Sequence, residues 1–386
     1  MGIVTRFFHP SGEKSFFLFG PRGTGKSTLI KGEYTQAFIL DLLEPNLYRE
    51  YRAYPEKLKD LILANEARKT FVIDEVQKIP ELLSVVHQLI EMKKGWQFIL
   101  TGSSARKLKR TGVDLLAGRA QLKHLHPFMA AEIPDQFNLE KNLKLGMLPL
   151  VVDSKDPRGD LKAYIALYMQ EEVQLEGLVR KVDEFSRFLE IISFSQASII
   201  NYTSIARECH INSKTVENYV QILEDLLLCF ILPIFTKKAK RLLSTHPKFY
   251  YFDCGVYQSI RPMGPLDNPE AIAGHTLETL VAQHLRAWID YSEKEGKLYF
   301  WHTKSKLEVD FVIYGEIGFY ALEIKRSDSV RSNDLRGLQE FKKDYPECLA
   351  LFLYGGKEKI LVNGILCVPI THFLLNLKPG VSLSDI

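Results

Sequence analysis

The sequence lacks any apolar run long enough to cross a bilayer. Its longest, Leu226 to Phe235, is about ten residues, against the roughly 20 that a spanning helix needs. A secretory pattern is also missing: Met1 to Lys14 has no apolar core followed by small residues. Arg6 stands where an N-myristoylation signal requires Ser or Thr. Cysteine is sparse. The five, Cys209, Cys229, Cys254, Cys348 and Cys367, are odd in number and scattered, without a Cys-x-x-Cys pair. That pattern argues against a disulfide framework or a zinc ribbon, and for reduced thiols in a cytoplasm. Charge of one sign is not in excess either. Lys plus Arg total 50 against 47 Asp plus Glu, a net charge of +3. This excludes a polycationic tail and leaves a local basic surface open. What is present, 386 residues at 46% hydrophobic and 25% charged, describes an ordinary globular chain of two or three domains.

The first third is organised around phosphate. The apolar run Ser15 to Phe19 reads as a buried strand and leads into Gly20-Pro21-Arg22-Gly23-Thr24-Gly25-Lys26-Ser27-Thr28. This is the G-x-x-x-x-G-K-S pattern of a P-loop in a strand–loop–helix setting. Its glycines let backbone N–H groups face phosphates, Lys26 reaches the β and γ phosphates, and the Ser27 hydroxyl ligates Mg²⁺. The helix that follows adds its positive dipole end. A second apolar run, Thr70 to Ile73, ends in Asp74 and Glu75, with Asp74 placed 48 residues after Lys26. That is a Walker B pattern: Asp74 as metal holder and Glu75 as the base that polarises the attacking water.

Further strands are expected at Ala37 to Leu42, at Gln97 to Thr101 and at Gln121 to His126. The fourth strand leads into Thr101, Gly102, Ser103 and Ser104, a polar cluster suited to sensing a γ-phosphate. Five strands joined by crossover helices form a parallel sheet, with ligands at the carboxyl ends. The inserted strand, together with the glutamate after Asp74, resembles the AAA-type ATPases; the resemblance implies sheet order 5-1-4-3-2. Arg119 and Arg106 are the two candidates for an arginine finger, with Arg119 preferred. A finger acting in trans would require a homo-oligomer.

The middle is helical, with apolar spacing over Asp160 to Arg180 and Asp183 to Ser193. A helix is expected over Tyr202 to Cys209, then a turn at His210 to Asn212, then a second helix from Ser213 through Leu227, with Ser213 as the cap candidate. This resembles a winged helix-turn-helix. A wing would follow as Ile231 to Phe235, a basic turn at Lys237, Lys238, Lys240 and Arg241, and Phe249 to Phe252. Such a turn suits phosphate contacts. A helical packing module that binds protein or nothing fits the same pattern.

In the last third Glu323 and Lys325 project from one face of an apolar strand, Phe319 to Lys325. Asp310, 13 residues earlier, lies in a preceding strand, Leu307 to Ile313. Glu278 sits on a helix face with Val281, Ala282 and Leu285, where a carboxylate needs a partner or a metal. Asp310 and Glu323 can hold one or two Mg²⁺ or Mn²⁺ ions, Lys325 can position water, and Glu278 can support the metal shell. The spacing resembles the PD-(D/E)xK restriction-endonuclease-like fold; Leu338 to Tyr345 does not match the glutamine–tyrosine motif of some of its subfamilies. A mixed sheet with a Glu323–Lys325 surface pair is the plainer alternative.

Over nearly its full length the chain resembles a family of prokaryotic ATP-binding proteins. These pair an AAA-type ATPase core with a C-terminal domain of unknown function that looks nuclease-like. The segments carrying the match are Gly20 to Thr28, Phe71 to Pro80, Leu100 to Ala105, Leu116 to Arg119, Tyr250 to Gly255, Glu308 to Phe311 and Glu323 to Lys325. The expected architecture is α/β in three parts: an ATPase domain over 1–130, a helical lid and winged helix-turn-helix region over 131–262, and a restriction-endonuclease-like domain over 263–386. The expected partners are ATP and nucleic acid, with no membrane. Three functions compete: an ATP-driven nucleic-acid-processing enzyme that cuts, a nucleotide-dependent signalling or defence switch that binds without cutting, and an oligomeric scaffold with vestigial sites. The retained Asp310, Glu323 and Lys325 favour the first.

Overall fold

The computed structural model describes residues 4–10, 12–103, 116, 118–169, 182–236, 246–292 and 294–386. They fall into two compact units, 1–126 with 225–227, and 127–224 with 228–386. The regions expected as second and third domains both lie in the second unit.

In the first unit, strands β1 (Ser15–Phe19), β2 (Phe38–Asp41), β3 (Thr70–Asp74), β4 (Gln97–Gly102) and β5 (Ala120–His124) alternate with helices α1 (Lys26–Glu33), α2 (Pro45–Ala53), α3 (Lys57–Ala64) and α4 (Leu82–Glu91). The sheet is parallel, ordered β2-β3-β4-β1-β5, which is the expected 5-1-4-3-2. Strands β1 and β4 are buried along their whole length, because crossover helices cover both faces of a parallel sheet. On one face Phe17, Phe19, Phe71, Ile73, Phe98 and Leu100 meet Leu58 and Ile62 of α3 and Leu82, Leu83, Val86 and Leu89 of α4. Their i, i+3, i+4 and i, i+2 spacings are what bring them to one layer. Each such side chain contributes about 1.5–3 kcal/mol when fully buried. The sheet therefore holds its carboxyl edge, and the loops there, on a rigid frame.

The second unit begins with short helices α5 (Leu139–Leu145), α6 (Pro149–Val152) and α7 (Pro157–Ala163). A π-helical turn, Tyr164–Met169, follows α7, where one α-helix had been expected from Asp160; residues 170–181 lie outside the described residues. Next come α8 (Val182–Ser193), β6 (Ser198–Ile199), α9 (Tyr202–Cys209), α10 (Ser213–Asp225), β7 (Cys229–Leu232) and β8 (Lys248–Tyr251). The three strands form an antiparallel sheet with β8 between β6 and β7. The cap of α10 is Asn212, whose side chain accepts from the Thr215 N–H at 2.7 Å; Ser213 is already the first helical residue. The residue three positions after this cap is Thr215, so there is no Glu or Gln at the position a capping box requires.

The chain continues through α11 (Cys254–Ile260) and the 23-residue α12 (Pro269–Tyr291). Strands β9 (Gly296–His302), β10 (Glu308–Gly315) and β11 (Gly318–Ile324) lead to α13 (Arg336–Asp344), then β12 (Leu349–Tyr354), β13 (Ile360–Val362), β14 (Ile365–Pro369) and α14 (Ile370–Asn376). These six strands make a mixed sheet, ordered β13-β14-β12-β11-β10-β9. The segment after β7 runs along its edge: the Phe235 N–H donates to the Phe300 carbonyl at 2.7 Å, and the Phe300 N–H to the Pro233 carbonyl at 3.1 Å. Phe235 anchors this junction with its ring 5.3–6.0 Å from those of Tyr299, Tyr314, Phe319, Phe341 and Tyr345. No helix among the described residues is long and apolar enough to cross a membrane.

Candidate functional site

The loop from β1 to α1 turns through Gly23 at φ 80° and Gly25 at φ 89°, conformations that only glycine adopts without cost. Gly20 has a different reason: a Cβ there would stand 2.4 Å from the Leu125 carbonyl oxygen. Thr24 is buried and its hydroxyl donates to the Pro21 carbonyl at 2.8 Å, tightening the turn. Arg22 and Thr28 are exposed. The Lys26 ammonium is buried and donates to the carbonyls of Gly20 at 2.7 Å and Pro21 at 3.2 Å. Arg6, which sequence reasoning passed over, ties the loop down by donating to the carbonyls of Thr24 at 3.0 Å and His126 at 2.7 Å.

The Walker pair meets as expected. The Ser27 hydroxyl donates to Asp74 Oδ2 at 2.8 Å, and the Thr101 hydroxyl donates to Asp74 Oδ1. Thr101 Oγ1 also accepts from the Glu75 N–H at 3.3 Å. A hydroxyl, a carboxylate and the end of β4 thus converge beside the loop, and this hard oxygen set suits Mg²⁺. Glu75 has left-handed backbone angles, φ 60° and ψ 43°, uncommon for a non-glycine residue. Its carboxylate accepts from the Gln77 side-chain amide, which also donates to Ser103 Oγ at 3.1 Å. Gln77 is 4% exposed, and its Oε1 is buried without a hydrogen-bond partner. Gly102 is where a Cβ would come 2.3 Å from that oxygen. Gln77 was not anticipated. Its signal was a second polar residue in the turn directly after Asp74-Glu75.

Arg119, the preferred finger candidate, lies at the start of the last strand of the sheet. It precedes β5, and the register pairs Ala120 with Ser15 and His124 with Phe19. It therefore sits at the amino edge of the parallel sheet, whereas the P-loop leaves the carboxyl edge. Five residues of strand, about 16 Å at 3.3 Å each, separate the two edges. Its guanidinium pairs with Glu91 at the end of α4. The register thus places Arg119 at the edge opposite the one from which the P-loop of its own chain leaves. Arg106, Ser104 and the basic turn Lys237, Lys238, Lys240 and Arg241 lie outside the described residues.

The second constellation is in the mixed sheet. Strands β10 and β11 pair antiparallel with Phe311 opposite Leu322; one residue further, Asp310 faces Glu323. The Ile324 N–H donates to Asp310 Oδ2 at 2.9 Å. The β9–β10 register shifts between Val309 and Val312, a bulge of the kind that re-aims side chains beside sites. Glu308 and Asp310, two apart, share a face. Lys325 is about half exposed, with Nζ 3.9 Å from Glu323 Oε1. Glu323 Oε2 is buried without a hydrogen-bond partner.

The cation at the centre is Lys248 of β8. Its side chain is 3% exposed, and Nζ lies 3.0 Å from Glu278 Oε1, pairs with Glu308, and lies 3.9 Å from Asp310 Oδ1. The Tyr250 hydroxyl donates to Glu278. Glu278, expected to support a metal shell, is engaged by these two side chains. Burial, followed by the Glu278 charge, pushes the Asp310 carboxyl up to about 8. Burial and then Asp310 push Glu323 well above the usual carboxylate range. Burial works against the Lys248 ammonium, but Glu278, Tyr250, Asp310 and Glu308 outweigh it and hold its pKa well above normal. Among the described residues, no group of three or more His, Cys, Asp or Glu is arranged to hold a metal ion. The sequence signal for Lys248 was a single charge in the short apolar strand Lys248–Tyr251.

Comparison with known proteins agrees with this division. Residues 12–134 match the model of an AAA domain. Residues 136–267 match a domain of unknown function (DUF8612), and 273–373 another (DUF4143). An uncharacterized protein of Mycobacterium tuberculosis is 24% identical over 371 residues, covering 92% of this chain and 80% of the relative. One of Haemophilus influenzae is 20% identical over 389 residues, covering 92% and 93%. Among solved structures, AMPPCP-bound DnaA from Aquifex aeolicus is similar over 55% of this chain and 82% of its own, at 13% identity and a TM-score of 0.30. Protein VC1899 from Vibrio cholerae is similar over 94% and 96%, at 11% identity and a TM-score of 0.22. The P-loop, the Asp74–Ser27 pair and the 5-1-4-3-2 sheet all lie within the residues, 12–134, that match the AAA domain model, so the first unit is similar to an AAA-type P-loop domain.

Proposed function

We propose that this chain hydrolyses ATP with Mg²⁺ and uses its nucleotide state to control its second unit. The observation that carries the first part is the meeting of Ser27 and Asp74 across 2.8 Å beside a loop that ends in Lys26. Mg²⁺ bound there would neutralise charge on the β and γ phosphates. Lys26 would exchange its two loop carbonyls for phosphate oxygens, and the loop N–H groups would cradle the chain of phosphates. Glu75 would take the proton of the attacking water, held by Gln77, while Thr101 and Ser103 present hydroxyls from the end of β4. A trans cation, Arg119 of a second copy included, would add transition-state charge in an oligomer. Lys26→Ala tests this: phosphate release should fall to background, and turnover equal to wild type would refute the reading.

For the second unit, the order helix–strand–helix–helix–strand–strand with β8 between β6 and β7 supports a winged helix-turn-helix module that engages nucleic acid. Asp310, Glu323 and Lys325 on adjacent faces of β10 and β11 support metal-dependent phosphodiester cleavage there, with Mg²⁺ or Mn²⁺. A second reading, binding of nucleic acid or a protein without cutting, is favoured by two observations. Lys248 fills the carboxylate cluster. The exposed face of α10 also carries Lys214 with Glu217, Asn218 and Gln221, which cancels rather than builds the basic stripe a phosphate backbone attracts. Nicking assays with Mn²⁺, ATP present or absent, on wild type and Asp310→Ala separate the two readings.

A further inference from the structure

The divalent ion implied by a nuclease-like fold does not fit the second unit as it is folded, and the disagreement has a specific cause. We infer that Lys248 is the resident cation of the acidic cluster, its ammonium standing among Glu278, Glu308 and Asp310 where a divalent ion would otherwise stand.

Three observations carry this. An ammonium at 3% side-chain exposure is strongly disfavoured unless it is compensated by opposite charge, and here carboxylates come to it from α12 and from two positions of β10. Its backbone is fixed, because β8 is the central strand of its sheet, with Lys248 registered against Ile199 on one side and Leu232 on the other. The lysine is therefore built into the site rather than resting on it. Finally, the carboxylates are turned to the lysine and its neighbours: Glu278 also accepts from Tyr250, and Asp310 accepts from the Ile324 N–H. Of the carboxylate oxygens of Glu278, Glu308, Asp310 and Glu323, Glu323 Oε2 is the one buried without a hydrogen-bond partner, and one such oxygen does not make a metal shell.

The inference rests on the reading of Asp310 and Glu323 as a nuclease-like pair, and it puts an ammonium rather than a divalent ion at the centre of the cluster. The test is Mn²⁺ titration calorimetry on the full nucleotide-free chain, comparing wild type, Asp310→Asn, Lys248→Met and the double variant. Any Mn²⁺ held near Ser27 and Asp74 is common to all four and subtracts. Wild type should show no site that Asp310→Asn removes. Lys248→Met should gain one, at least roughly tenfold tighter than wild type and lost in the double variant. A Lys248→Met chain that folds only with Mn²⁺ supports the inference equally. A wild-type Mn²⁺ site abolished by Asp310→Asn overturns it, and so does a Lys248→Met chain that keeps its ATPase activity and binds no additional metal. Should Lys248→Met fail to fold, the wild-type and Asp310→Asn pair decides alone. Plasmid nicking by Lys248→Met is read separately: gain of Mn²⁺ without nicking leaves Lys248 as the resident cation and removes the cutting reading.

Discussion

The imidazole of His284 should make the second unit acid-labile by a calculable amount. It lies wholly buried on α12. Nδ1 is 2.7 Å from the Leu280 carbonyl, and Nε2 accepts from the Ala130 N–H at 2.8 Å. A donor on one side and an acceptor on the other fix the neutral ring with its proton on Nδ1. A second proton would set two N–H groups against each other. Burial accordingly lowers the pKa from 6.5 to about 4. Because the folded value lies below the unfolded one, the unfolded chain binds more protons between these limits. Stability is therefore full above pH 6.5 and falls as the pH drops toward 4, at up to about 1.4 kcal/mol per pH unit. About 2.5 units make the total about 3 kcal/mol, a large part of a stability on the order of 5–15 kcal/mol. Urea denaturation of wild type and His284→Gln between pH 7 and 4.5 isolates this group, since the other titrating side chains are common to both. The wild-type curve should be steeper and the variant flatter. Parallel curves, or an imidazole resonance of His284 that titrates near 6.5, would refute the argument.

Two further outcomes follow from the first unit. Gln77→Ala should lower kcat for ATP by up to roughly 100-fold with little change in KM, the low end of the roughly 100–10,000-fold that a positioned acid or base contributes, since Gln77 only orients Glu75; Gly102→Ala, whose Cβ would displace the same amide, should reproduce that loss. An unchanged kcat in both would remove Gln77 from the hydrolytic step. Arg119→Ala should leave turnover within about twofold of wild type in dilute monomer, since its partner is Glu91 at the far edge of the sheet and an exposed pair contributes about 0–1 kcal/mol. Loss of activity that appears only at high protein concentration would instead identify a finger acting between copies.

The ATPase domain was legible because its chemistry is local. Strand, glycine loop and helix are contiguous over Ser15 to Glu33, and Asp74-Glu75 mark the end of one apolar run. The sheet order was implied by the resemblance to the AAA-type ATPases, which the inserted strand and Glu75 carried. The residues that escaped notice act over long separations. Arg6 reaches a carbonyl 120 residues away. Lys248 meets Glu278 30 residues on, and a further stretch of chain intervenes before Glu308 and Asp310. Nothing in a local pattern reports such a meeting, although a lysine in the strand Lys-Phe-Tyr-Tyr was itself a departure from apolar alternation. For Arg119 the order along the chain says nothing of the sheet edge, which follows only from the register of β5 against β1. The Ser213 cap failed by a single residue, the ordinary uncertainty of helix ends.

Strand β8 has a consequence for how the second half of the chain comes apart. Its backbone belongs to the small antiparallel sheet, while its lysine is neutralised by side chains from α12 and β10; Phe235, beyond the neighbouring strand, is packed into the aromatic layer of the large sheet. Pulling the two sheets apart would strand a buried charge and open that layer in the same event. The small antiparallel sheet and the mixed sheet should thus melt in one cooperative transition, and neither could be exchanged for a foreign module without replacing the contacts that cross between them.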